Sequence, residues 1–390
     1  MQRLVYLTYM LMIGSTGVTF VFLEDFESEF GLPAWGIGLI ASLGFFTAVI
    51  SSVAISPLGD RGYIKSLGFL GFAATIVGNL LFAFSSDLLT LSLSRALTGI
   101  GVGLFSIVGR KALIGEVTDD SGEKIGLFLS AAVAGFIAGP IFGSLLSEFG
   151  GIPTPYFVIA GLLALVAIPT MNWLSAAPIA VSQGAATGSM LSLLTVPGAR
   201  AAVAAQVAVF FNIGVFDSTV DEYLTDLGVS NTGVGIIIGV IALPLLVVPK
   251  LAGQRVDHHP RPATIMLTAL ALFVPIILAI GLFAGLVVFV SLAFVQTFVE
   301  STLFPAGARV VLNETGPEQS ASGTGLLDAS GSFAGGVSAL IAPVLYDLTD
   351  GPLGPFGMSG IFAALMLVVG WASIRQRDVG ADISYQDAKR

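Results

Sequence analysis

The sequence predicts an all-α polytopic membrane protein, with twelve transmembrane helices arranged as two pseudo-symmetric six-helix bundles. Three observations carry that expectation. Of 390 residues, 55% are apolar and only 11% charged, against roughly 25% charged in an ordinary soluble domain, and the mean hydropathy is +0.94. Apolar runs near or above the ~20 residues that cross ~30 Å of hydrocarbon recur along the whole length and leave no interval for a soluble domain. Landmark residues of the two halves also match at a nearly constant offset.

The first six spans are expected at about 4–24, 33–56, 64–84, 88–111, 124–148 and 155–175, and the second six at about 199–220, 231–250, 263–284, 286–308, 320–345 and 353–375. This divides the chain into a bundle over 1–175, an Ala-, Ser- and Gly-rich cytoplasmic linker over 176–198, a second bundle over 199–375 and a cytoplasmic tail over 376–390. The first run is full length, so it reads as a retained helix rather than a cleavable signal. With both termini cytoplasmic, every Lys and Arg except Arg95 falls on that side. The opposite loops carry only acids, among them Glu24, Asp25, Glu27, Glu29, Asp87, Glu148, Asp221, Glu222 and Asp347. Such one-sidedness supports an even number of spans and a multi-pass protein of a prokaryotic plasma (inner) membrane.

At an offset of 197, Glu24 and Asp25 match Asp221 and Glu222, three glycines from Gly31 match three from Gly228, and Asp60 matches Asp257. Lys111 and Glu116 match Arg309 and Glu314 at 198, and Gly135 and Gly139 match Gly331 and Gly335 at 196. Parallel repeats of this kind place a substrate site between the halves.

Three stretches carry recognisable patterns. SPLGDRGYIK, residues 56–65, joins spans two and three, and its counterpart GQRVDHHPR keeps Gly253 and Asp257. A carboxylate in such a loop is stabilised beside a neighbouring helix N-terminus. RALTGIGVG opens with Arg95, about seven residues and so roughly 10 Å into span four, where an arginine costs at least ~2.5 kcal/mol at the bilayer centre. It needs either an interior partner, a carboxylate above all, or a route for its head to snorkel outward. Span five carries Gly126, Gly135, Gly139, Pro140 and Gly143. Glycines four apart allow a neighbour to approach closely, and Pro140 removes a backbone hydrogen bond. That face makes either an outer seam between the halves or plain packing.

Together these stretches resemble motifs A, B and C of the major facilitator superfamily, and the resemblance covers essentially the whole chain. It implies that Asp60, Arg61, Lys65 and Glu116 form a cytoplasmic gate, with Asp257 as its degenerate counterpart; simple retention of positive charge is the alternative for Arg61 and Lys65. It implies coupling to protons or substrate for Arg95, and export for the span-five motif. Ser56, Tyr63, Ile64 and Ser144 depart from the family's pattern.

Two acids lack a counterpart in the other half, Glu300 in span ten and Asp328 in span eleven. A carboxyl in low dielectric can take and release protons near neutrality, which suits proton coupling, while a helix-start role explains Asp328 equally well. Asp217 in span seven is a third candidate, placed to face Arg95. Glu24 and Asp25 read as an acidic rim around the outer mouth, either plain solubility or an antechamber for cations or protons. Thr16, Asn79, Gln206 and Asn212 are polar residues that could line the path.

The chain has no cysteine and only two histidines, adjacent to each other, so no disulfide, metal site or cofactor is expected, and nothing indicates a nucleic-acid partner. No nucleophile and base pairing or phosphate loop points to an enzyme. The expected function is secondary active transport by alternating access, with proton-coupled export of a small amphipathic or lipophilic compound by a monomer in the lipid bilayer. Uptake of a polar metabolite such as a sugar or organic acid is the alternative. A membrane sensor is the third class, and the short tail argues against it.

Overall fold

The computed structural model describes residues 2–51, 53, 58, 63–114, 121–176, 190–283, 285–315 and 320–387; within them the chain is helical almost throughout, with no strand. The first half comprises α1 (Gln2–Thr19), α2 (Leu23–Phe30), α3 (Ala34–Ile50), α4 (Ile64–Phe84), α5 (Leu88–Ile114), α6 (Ser121–Gly150) and α7 (Pro153–Ala176). A short 3-10 turn over Met190–Thr195 leads into the second half: α8 (Pro197–Asp226), α9 (Asn231–Ala242), α10 (Pro244–His258), α11 (Pro262–Leu282), α12 (Leu286–Thr315), α13 (Ser320–Thr349) and α14 (Leu353–Asp387).

Among the described residues, ten stretches are long and apolar enough to cross a membrane, α9 and α10 counting as one. The pair α1 and α2, bent by 45°, is an eleventh, and the shorter apolar α3 completes twelve. Large apolar side chains such as Phe69, Val77, Leu165, Ile168, Val287 and Val368 are exposed on the outside, where lipid would cover them.

Local chemistry sets the breaks. In Val18-Thr19-Phe20-Val21-Phe22, β-branched and aromatic residues lose rotamer freedom in a helix, and the backbone tightens to three-residue bonds from Phe20, Val21 and Phe22 to Gly17, Val18 and Thr19. α1 stops there and α2 restarts at an angle. Pro244 divides α9 from α10, and prolines open α8 and α11, where a missing N–H costs nothing. Asp87 caps α5 by accepting the Thr90 amide at 3.0 Å; this bond and one from the Thr90 hydroxyl hold its carboxyl below the usual carboxylate range. The last helix runs to Asp387 rather than ending near residue 375, because helix outlasts the apolar run.

The helix ends sort by charge. Asp25, Asp87, Glu148, Asp221 and Asp347 gather at one end of the bundle, the acidic end, and Arg110, Lys111, Arg255 and Arg309 at the other, the basic end.

Within each half the central pair of helices packs backbone to backbone. A Cβ on Gly135 or Gly139 of α6 would run into the Met10 or Gly14 carbonyl of α1, and Gly17 lies 2.9 Å from the Pro140 ring by the same measure. The span-five glycines therefore weld α6 to α1 inside the first half and do not form the seam between halves. That seam uses the adjacent face of α6: Gly235 of α9 meets Ser144 and the Pro140 carbonyl, and Gly239 meets Ile141. Gly126 has open space around it. A second seam joins α3 to α13, where Gly38 would place a Cβ 3.0 Å from the Ala339 carbonyl.

Asp60, Arg61 and Glu116 lie outside the described residues, and Lys65 is exposed in the first turn of α4. Asp257 faces Arg309 at 3.6 Å, which joins α10 to α12 inside the second half instead of bridging the halves.

Candidate functional site

A cavity of about 600 Å³ lies between the halves, walled by α1, α3, α5 and α6 on one side and α8, α9, α10, α12 and α13 on the other. Its lining is mainly apolar and aromatic, including Phe20, Phe45, Phe136, Phe210, Phe216 and Phe304. Among these stand Thr16, Arg95, Gln206, Asp217, Gln296, Glu300 and Asp328.

Arg95 is 1% exposed. Its Nη1 donates to the Thr16 carbonyl at 3.3 Å, and the guanidinium sits 4.8 Å from the centre of the Phe20 ring, a cation–π distance. Gly44 makes room, since a Cβ there would lie 2.8 Å from Cζ of Arg95. The Nε of Arg95 has no hydrogen-bond partner among the described residues. Asp217, on α8, feels the Arg95 charge but among the described residues makes no ion pair with it, so Arg95 faces the cavity with a gap between it and the carboxylate.

Glu300 is 5% exposed and accepts a 3.0 Å hydrogen bond at Oε2 from Nε2 of Gln296, one turn earlier on α12. Gln296 keeps its Oε1 without a partner among the described residues. It escaped the sequence reading, although its position four residues before Glu300 puts both on one helix face. At the basic end of the cavity Asp328 meets Arg110 of α5 at 3.8 Å, with both side chains partly exposed. Asp328 is thus a wall residue paired across the halves, well beyond the first turn of α13, which removes the helix-start reading.

Two expected path residues are elsewhere. Asn79 is fully buried between α4 and neighbouring helices and donates to the Thr75 carbonyl at 2.8 Å. Asn212 accepts from Ser359 of α14 at 3.0 Å. Each amide is used inside one half through one atom, Nδ2 of Asn79 and Oδ1 of Asn212, while the other atom of each has no hydrogen-bond partner among the described residues. Thr16 and Gln206 do reach the cavity.

The acidic end is shut above Asp217. The Glu24 amide donates to Oδ2 of Asp221 at 3.0 Å, and Asn231 donates to Oδ2 of Asp25 at 2.7 Å. Thr232 bonds Glu148 beside them. Glu24 and Asp25 therefore do not form an open rim: they belong to a contact between the halves.

The chain matches the family model described as Major Facilitator Superfamily over residues 5–199 and 202–388. A synaptic vesicular amine transporter of Homo sapiens is 36% identical over 132 residues, 33% of this chain and 26% of that protein. The multi-drug resistance efflux pump PmrA of Streptococcus pneumoniae is 29% identical over 158 residues, 38% of this chain and 39% of the pump. The matched stretch thus spans about a quarter of the amine transporter's length. Among solved structures, a bacterial homolog of the human lysosomal transporter Spinster, in an inward-facing and occupied conformation, superposes with a TM-score of 0.80 at 14% identity, covering 96% of each chain.

Proposed function

The chain belongs to the Major Facilitator Superfamily, and we propose that it is a proton-coupled transporter that exports small lipophilic organic cations by alternating access. One observation carries this reading: Asp217 and Glu300 are buried in an aromatic cavity, and among the described residues neither forms an ion pair. A buried carboxylate must be neutralised. A proton does so, and so does the ammonium of a substrate, with the phenylalanine faces as a further cation site. Two cations competing for the same carboxylates is the requirement for exchange. The names of the similar amine transporters and efflux pump support the substrate class and export, and the basic end as the cytoplasmic end gives the orientation in the membrane.

The test is purified protein in proteoliposomes under an imposed pH gradient, with a permanent organic cation such as tetraphenylphosphonium as probe. Gradient-driven accumulation that a protonophore abolishes is the expected result; flux indifferent to the gradient would sink the exchange mechanism. The unpartnered Nε of Arg95 favours a second reading, an anionic substrate, which predicts movement of a lipophilic anion instead.

A further inference from the structure

We propose that Asp221 and Asn231 are gate residues: each reaches from the second half onto α2, and together they hold the acidic end of the cavity closed in one stage of the transport cycle. The inference rests on backbone geometry and does not depend on which substrate moves.

The break after α1 leaves the first N–H groups of α2 without partners in their own helix. The residue before α2, Phe22, offers no side-chain cap. The Asp221 carboxylate fills that role from the other half by accepting the Glu24 amide at 3.0 Å. Asp221 is 2% exposed, which no solvated rim residue would be, and a carboxylate at a helix N-terminus gains from both the free amides and the dipole. The equivalent stretch of α8 runs unbroken through Asp226, so the second half has no such terminus to cap.

Asn231 supplies the second bond. It is the first residue of α9, held by Ser230, whose hydroxyl accepts the Gly233 amide, and its Nδ2 reaches Asp25 at 2.7 Å. The two bonds involve consecutive residues of α2 and run in opposite senses, one donated by each half. Any separation of the halves at this end breaks both at once.

The experiment uses the natural absence of cysteine. Spin labels on cysteines at Leu89 and Leu353, exposed starts of α5 and α14 at the acidic end, report the distance between the halves in reconstituted protein. Asn231→Asp sets two carboxylates face to face and is expected to lose the short-distance population. The swap Asp25→Asn with Asn231→Asp is expected to restore it, which excludes simple misfolding. Asp221→Ala is expected to shift the distribution to longer distances, while Asp221→Asn, an equally good cap, keeps it. Unchanged distances in N231D and D221A, or failure of the swap to restore closure, would overturn the proposal.

Discussion

Asp217, Glu300 and Asp328 stand on the second half, and their counterparts in the first half, at offsets of 197, 198 and 196, are Phe20, Val102 and Ala132; all six line the cavity. Arg95, conversely, has Ala293 as its counterpart. The glycines that weld α6 to α1 have equivalents that pack α13 against α8. The halves therefore share a scaffold and differ in chemistry: phenylalanines stand on both walls, but one wall holds the buried cation and the other carries the acids. The difference teaches that packing follows the duplication, whereas each charge has a single job.

The sharpest way to break this comparison is to erase the acidic wall. Asp217→Asn and Glu300→Gln are each expected to cut gradient-driven flux by about tenfold or more, equivalent to ~1.4 kcal/mol, with normal expression. Wild-type flux in both variants would remove the acids from the mechanism. Neutralising the opposite wall comes next. Arg95→Ala should impair transport, and Arg95→Lys should restore it only in part, because an ammonium lacks the planar fork that meets the Thr16 carbonyl and the Phe20 ring; full activity in R95A would refute its role.

The shared scaffold can be tested by asking whether equivalent glycines are equivalent. Gly139→Ala drives a methyl into the Gly14 carbonyl, an overpacking cost of about 1–3 kcal/mol read as a lower thermal midpoint. Gly335→Ala meets the Phe45 ring at 3.0 Å and the Phe210 carbonyl at 3.1 Å, looser than the contact at Gly139, and should cost less; Gly126→Ala should cost nothing. The smallest effect concerns the Asp87 cap. Its folded carboxyl is held low, so its contribution is present above the ordinary carboxylate range and is lost as pH falls through the lowered folded value. Asp87→Ala should lower the midpoint slightly at neutral pH and converge with wild type in acid.

Most of the fold was legible because hydropathy, charge sidedness and the offset of 197 are all properties of the linear chain. Arg95, Asp217 and Glu300 were legible for a related reason: a charge within a membrane span has few places to go. The amides were not, since Asn79 and Gln206 look alike in sequence and only helix rotation decides which faces the cavity. The span-five glycines announced a close contact without naming the partner, which proved to be α1. The break after Thr19 left a trace in its β-branched and aromatic run, but the bond from the Glu24 amide to Asp221 joins residues 197 positions apart in sequence, which only folding brings near.

At Gly135 and Gly139 the joint between α1 and α6 sets glycine hydrogens against carbonyl oxygens, so at those two points no side chain can change rotamer and take up slack, and the stacked Tyr9 and Phe128 rings close the joint nearer the basic end. Such a contact is either in register or broken. α1 and α6 are therefore expected to move as one piece relative to the α9 seam, carrying the Thr16 carbonyl that holds Arg95 with them.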